Sequence, residues 1–264
     1  MSAPTESRRA PGSSDKRMTL RQHLLELRNR ALIAAAGILA GAVGGWFLYP
    51  WVWASLTDPV KSMGTLSTIN FQGLTDAFDM HMAVSIYVGI ILSSPLWLYE
   101  VFAFFTPGLT RREKAYVFGF LIPSVLLFLG GCTIGWYAIP HIVDLFLQFT
   151  PNGNSNLLHA TDYFNFVLKL MIVAGIAFVL PVFLVLLDLI GIVNGKALLK
   201  AWRWAVLGSI GFTALATPAT DPITMMIMAI PLLVLYFAAC FVSLSFDKRK
   251  ARRAALVDAD LAAS

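Results

Sequence analysis
Apolar residues fall in long unbroken runs along this chain, and the polar residues collect in the short stretches between them. Six runs are read as membrane-crossing helices, at residues 31–49, 82–105, 116–139, 164–192, 204–216 and 223–244. A crossing helix needs about 20 apolar residues. The fifth run has only 13. At 1.5 Å per residue it reaches about 20 Å, which local thinning of the bilayer can accommodate. We read it as a true but short span; a re-entrant pair made with the sixth run is the alternative. Ahead of the first span, Leu20, Leu24, Leu27 and Ala31 recur at helical spacing, and Gln22, Glu26 and Arg30 occupy the other face. This predicts an amphipathic leading helix.

Charge changes the picture by giving the spans a direction. Counted by segment, the basic residues number seven before the first span and one, three, one, three and none through the successive loops, with five in the tail. Under the positive-inside rule, both termini are cytoplasmic. An even number of spans requires this, so the short fifth span fits. The apolar run of the first span ends in Trp46, Tyr49, Trp51 and Trp53, an aromatic belt rather than the small-residue site of a cleaved signal peptide. Residues 1–18 read as a disordered basic tail, 19–246 as the membrane domain and 247–264 as a basic cytoplasmic tail.

Composition removes whole classes of function. The chain is 58% hydrophobic and 13% charged, with a mean hydropathy of +0.72. Soluble domains carry about 25% charged residues. A soluble enzyme, a disordered chain and a nucleic-acid-binding domain are therefore excluded. Cys132 and Cys240 lie inside apolar runs and read as small buried hydrophobes. No metal-ligand cluster, nucleophile motif or phosphate loop is present, so no cofactor is expected and the chain is not read as an enzyme.

Within the spans, Gly37, Gly41 and Gly45 repeat at four-residue spacing, as do Gly131 and Gly135. Small residues so spaced let helices approach closely, and packing inside the molecule is preferred to a partner interface. Pro95, Pro123, Pro181 and Pro231 each remove a backbone hydrogen bond and predict kinks in a curved bundle. Glu100, Lys169 and Asp188 lie near span ends and can reach an interface. No mid-depth carboxylate offers a proton relay.

The chemistry gathers on the cytoplasmic rim. Glu26 and Arg30 form an i,i+4 pair. Pro107-Gly108 breaks the second span, and Thr110 with Glu113 makes a capping box for the third. Asp221-Pro222 is a good start for the sixth.

Three stretches carry a resemblance. His23-Leu24-Leu25-Glu26-Leu27-Arg28-Asn29-Arg30 resembles the opening motif of the twin-arginine translocase core subunit, the TatC family. Residues 98–109 with Arg112-Glu113-Lys114 resemble that family's first cytoplasmic loop. Thr217-Pro218, Asp221 and Ala229-Ile230-Pro231 are similar to its last outer loop and sixth helix. The resemblance implies an all-α, glove-like bundle of six spans in the bacterial cytoplasmic membrane. That bundle would receive folded proteins bearing twin-arginine signal peptides, with single-span partners of the TatA and TatB type and the proton-motive force. It also implies signal-peptide binding by Glu26, Glu113, Phe104 and Arg28. Partner docking or assembly would fall to the fifth span, Thr217, Asp221, Thr224 and Met225. There are departures: Val179 stands where the family often has a span-four glutamate facing the bundle's concavity, and Glu100 stands where a glutamine is usual. A small-solute secondary transporter is the competing reading, weakened by the absence of an internal repeat and of midplane charge.

Overall fold
The computed structural model describes residues 20–62, 67–104, 118–148, 156–190, 193–216 and 222–263. The elements are α1 (Leu20–Ser62), β1 (Ser67–Asn70), α2 (Asp76–Leu92), α3 (Ser94–Phe104), α4 (Leu121–Gln148), β2 (Asn156–His159), α5 (Ala160–Ile190), α6 (Gly195–Lys200), α7 (Trp202–Ala216) and α8 (Pro222–Ala263). Apolar surroundings offer backbone groups no water, so the chain closes its own hydrogen bonds in helices. Hydroxyls within the helices do likewise. Ser85 donates to the His81 carbonyl at 2.7 Å, Ser124 to Phe120 at 2.7 Å and Thr133 to Leu129 at 2.8 Å.

Among the described residues, four helical stretches are long and apolar enough to cross a membrane, and the bent pair α2–α3, taken as one span, makes a fifth. The 15-residue α7 falls short of that length. The leading helix and the first span form one helix of 43 residues, and α8 continues through the basic tail. The second span is divided. A 59° bend separates α2 from α3, because Pro95 has no N–H with which to continue the helix. The indole N–H of Trp97 donates to the Ile90 carbonyl at 2.9 Å across the break. A two-stranded parallel ladder, with Ser67 opposite Asn156 and Asn70 opposite His159, joins the two loops at the far end of the bundle. The apolar pattern did not predict it.

The small residues pack helices inside the molecule, as expected. A Cβ on Gly41 would lie 2.7 Å from the Gly89 carbonyl oxygen, and one on Gly45 would lie 2.5 Å from that of Ser85. Gly131 meets the Ala174 carbonyl in the same way, at 2.7 Å. Backbone therefore touches backbone along α1–α2 and α4–α5. Around these contacts, Phe102, Phe128 and Phe164 are fully enclosed. Trp53 stacks on Phe164 at 4.5 Å, and the buried Tyr163 hydroxyl donates to the Leu56 carbonyl at 3.0 Å.

Val179 is enclosed: it is 3% exposed and packs with Leu98, Phe128, Cys132 and Ile172. One residue on, Leu180 is exposed and lines a groove of about 390 Å³ between α5, α7 and α8.

Candidate signal-binding rim
Two helix faces meet at the end of the bundle where α1 begins. On α1 they present His23, Glu26, Leu27 and Arg30; on α3 they present Trp97, Glu100, Val101 and Phe104. Both sets follow the i, i+3, i+4, i+7 spacing that lines up one face. His23 stacks on Phe104 with ring centroids 4.4 Å apart. A turn and more deeper, Arg30 lies between two carboxylates. Its Nε and Nη2 both donate to Glu26 Oε1, at 3.0 and 2.8 Å. Its Nη1 donates to Glu100 Oε2 at 3.0 Å. Glu100 is buried, and the Glu26 and Arg30 side chains are 20% and 24% exposed. Glu26 Oε2 is enclosed and has no hydrogen-bond partner among the described residues. Beside this cluster runs an apolar groove of about 480 Å³, floored by Ala31, Ala34, Ala35 and Ile38 and reaching Glu100 and Phe104.

The structure thus brings Glu26 and Phe104 to one rim. Arg28 is not gathered there: it is exposed, and it donates to Asn29 Oδ1 at 3.1 Å, on the other face of α1. Glu113, Thr217 and Asp221 lie outside the described residues. Thr224 and Met225 fall in the first turn of α8, and Met225 is half-buried. The i,i+4 pair of Glu26 and Arg30 is present, but its second acid was missed. Glu100 is 70 residues from Arg30 in the chain. A usable signal existed: opposite charges near the same end of two neighbouring spans, each in register with an aromatic residue.

Further along α1, Pro50 lacks the N–H that would bond the Trp46 carbonyl. His81 Nε2 lies 3.2 Å from that oxygen and takes the place of the missing donor. The imidazole is sandwiched between Trp46 and Tyr49, at 3.9 and 3.8 Å.

Near the C-terminal end of α5, the buried Asp188 accepts a hydrogen bond from Ser243, midway along α8. The Gly195 N–H donates to Asp247 at 3.1 Å, which ties α6 to α8.

These features define a polytopic helical membrane protein whose charged chemistry collects at one rim. The family described as Sec-independent protein translocase protein (TatC) matches residues 22–231. The chain is 45% identical over 250 residues to the TatC protein of Xylanimonas cellulosilytica, covering 93% of this chain and 90% of that one. It is 33% identical to the TatCy protein of Bacillus subtilis, over 92% and 95% of the two chains. It is 36% identical to the chloroplast TATC protein of Arabidopsis thaliana, over 86% and 66%. The crystal structure of a twin arginine translocase receptor, TatC, superposes with a TM-score of 0.73 at 28% identity, covering 84% of this chain and 99% of that one. This chain belongs to the TatC family of Sec-independent protein translocases, which are non-enzymatic components of membrane transport. The small-solute transporter reading is set aside.

Proposed function
We propose that this chain is the receptor subunit of a twin-arginine export system in a bacterial cytoplasmic membrane. It crosses the membrane six times, α7 included, with both termini in the cytoplasm. Glu26 and Glu113, with Phe104 nearby and Arg28 on the flank, read the paired arginines of a signal peptide. The observation that carries this reading is the unpartnered carboxylate oxygen of Glu26, set beside an apolar groove that ends at Phe104. A guanidinium can make two parallel hydrogen bonds to a carboxylate, which a lysine ammonium cannot match. The groove would then take the apolar stretch that follows the arginines.

Single-span partners of the TatA and TatB type dock on α7 and the start of α8, near Thr217, Asp221, Thr224 and Met225. Support comes from α7 itself, where Gly208 and Gly211 have open space over them and Trp204 and Leu207 point outward. The proton-motive force drives transport.

The test compares binding of an Arg-Arg signal peptide and its Lys-Lys variant to membranes matched for protein level. Glu113→Gln preserves much of a capping box's hydrogen bonding, and it should weaken the Arg-Arg peptide more. Glu26→Gln should act in the same direction. Equal losses for both peptides would remove Glu113 from the reader and leave it as a helix cap.

A further inference from the structure
Arg30 spends its planar fork in an unusual way. The Nε and Nη2 donors could pair with both oxygens of Glu26, the arrangement that best matches a guanidinium to a carboxylate. Instead both converge on Oε1, and Nη1 reaches across to Glu100. Glu26 Oε2 is left enclosed and without a partner among the described residues. Among the described residues the cluster holds two carboxylates and one guanidinium, so it carries one negative charge more than it neutralises. An anionic oxygen withdrawn from water without a donor is unfavourable by itself. It becomes favourable when a cation with a spare N–H arrives.

We propose that Glu100 is a positioning residue of the reader: through Arg30 it holds Glu26 with one oxygen unpaired and ready for an incoming guanidinium. Glu100 suits that role because it is buried on α3, two turns beyond the bend at Ser93. It draws one arm of Arg30 away from Glu26 and supplies the second negative charge. This rests on the reading of Glu26 as a signal-binding acid and adds the device that keeps it available.

The charge count makes the proposal testable. In Glu100→Gln, Arg30 has a single anion left and closes onto both oxygens of Glu26, and the excess charge disappears. Glutamine keeps the size and shape of the side chain, so the packing of α3 against α1 survives. In the double variant Arg30→Gln with Glu100→Gln, Glu26 is released and the excess charge returns. The experiment measures binding of a peptide with Arg-Arg before an apolar stretch, and of its Lys-Lys counterpart, to the full chain in membranes.

Glu100→Gln should lose at least about tenfold in affinity for the Arg-Arg peptide, the effect of one charge-assisted hydrogen bond. Its preference over Lys-Lys should shrink accordingly, and the double variant should regain most of both. Rescue by removing a second residue is not something a packing defect would show. Equal weakness of the single and double variants would overturn the proposal, as would wild-type binding by Glu100→Gln alongside a weakened Glu26→Gln. Unchanged Arg-Arg binding by Glu26→Gln would instead overturn the underlying reading of Glu26, and with it this one.

Discussion
A single side chain decides how much a change matters when it sits where neighbours cannot yield. Val179 is such a case. Its site is walled by Leu98, Phe128, Cys132 and Ile172, and interiors are packed as densely as organic crystals. From sequence, Val179→Leu is expected to leave export normal at a packing cost below about 1.5 kcal/mol. With the side chain enclosed, the added methylene should instead destabilise by about 1–3 kcal/mol. Thermal melting of the detergent-extracted protein should show this as a lower Tm, with peptide binding per folded molecule unchanged. His81 is a milder case. His81→Phe retains the stack between Trp46 and Tyr49 but leaves the Trp46 carbonyl without its donor. Because His81 is only half-buried, the loss should be about 0.5–1.5 kcal/mol. His81→Ala should cost more, since both ring contacts also go. Equal melting of the Phe variant and the parent would show that the hydrogen bond contributes nothing.

Between elements, the glycines sort themselves by what stands over them. A Cβ on Gly41 would lie 2.7 Å from the Gly89 carbonyl oxygen, whereas one on Gly44 would meet only the tip of Leu92 at 3.6 Å and one on Gly130 nothing within 4 Å. Gly41→Ala must therefore push α1 off α2, and backbone cannot rotate aside as a side chain can. A loss of about 1–3 kcal/mol is expected. Gly130→Ala should be neutral or stabilising by up to about 1 kcal/mol, because alanine favours the helix and nothing opposes it. Gly44→Ala should resemble Gly130→Ala. The same melting measurement ranks all three, and a neutral Gly41→Ala would mean that α1 and α2 are not held in this contact. The bend between α2 and α3 belongs to this scale too. It aims α3 at the start of α1, and that is how Glu100 comes to face Arg30.

Across the whole molecule, the proposed six-span topology predicts which residues an impermeant thiol reagent reaches. With Cys132 and Cys240 replaced, single cysteines at Ser62 and Asn154 should be labelled from outside intact cells. Cysteines at Ser14 and Ala197 should not. The structure suits the probe at Ala197, which is exposed on α6. Labelling of that position from outside would place the basic loop before α7 on the wrong side and end the six-span reading.

What the sequence determined by itself was the part of the physics that is local or cumulative. Apolar run length predicts the helices that span, because each backbone group must find its partner within its own segment. The distribution of Lys and Arg implies an orientation, and the motifs around Glu26 and Phe104 point to the family. Proline marked Pro95 as a kink. Other features depend on which surfaces meet, and only the tertiary structure decided them. Val179 turns into the core and Leu180 out of it by a rotation that no span boundary specifies. The ladder of β1 and β2 pairs strands nearly ninety positions apart. Arg30 finds Glu100 across 70 residues because the bend at Ser93 brings α3 against α1. A charge's partner is set by distance in space, and distance along the chain does not report it.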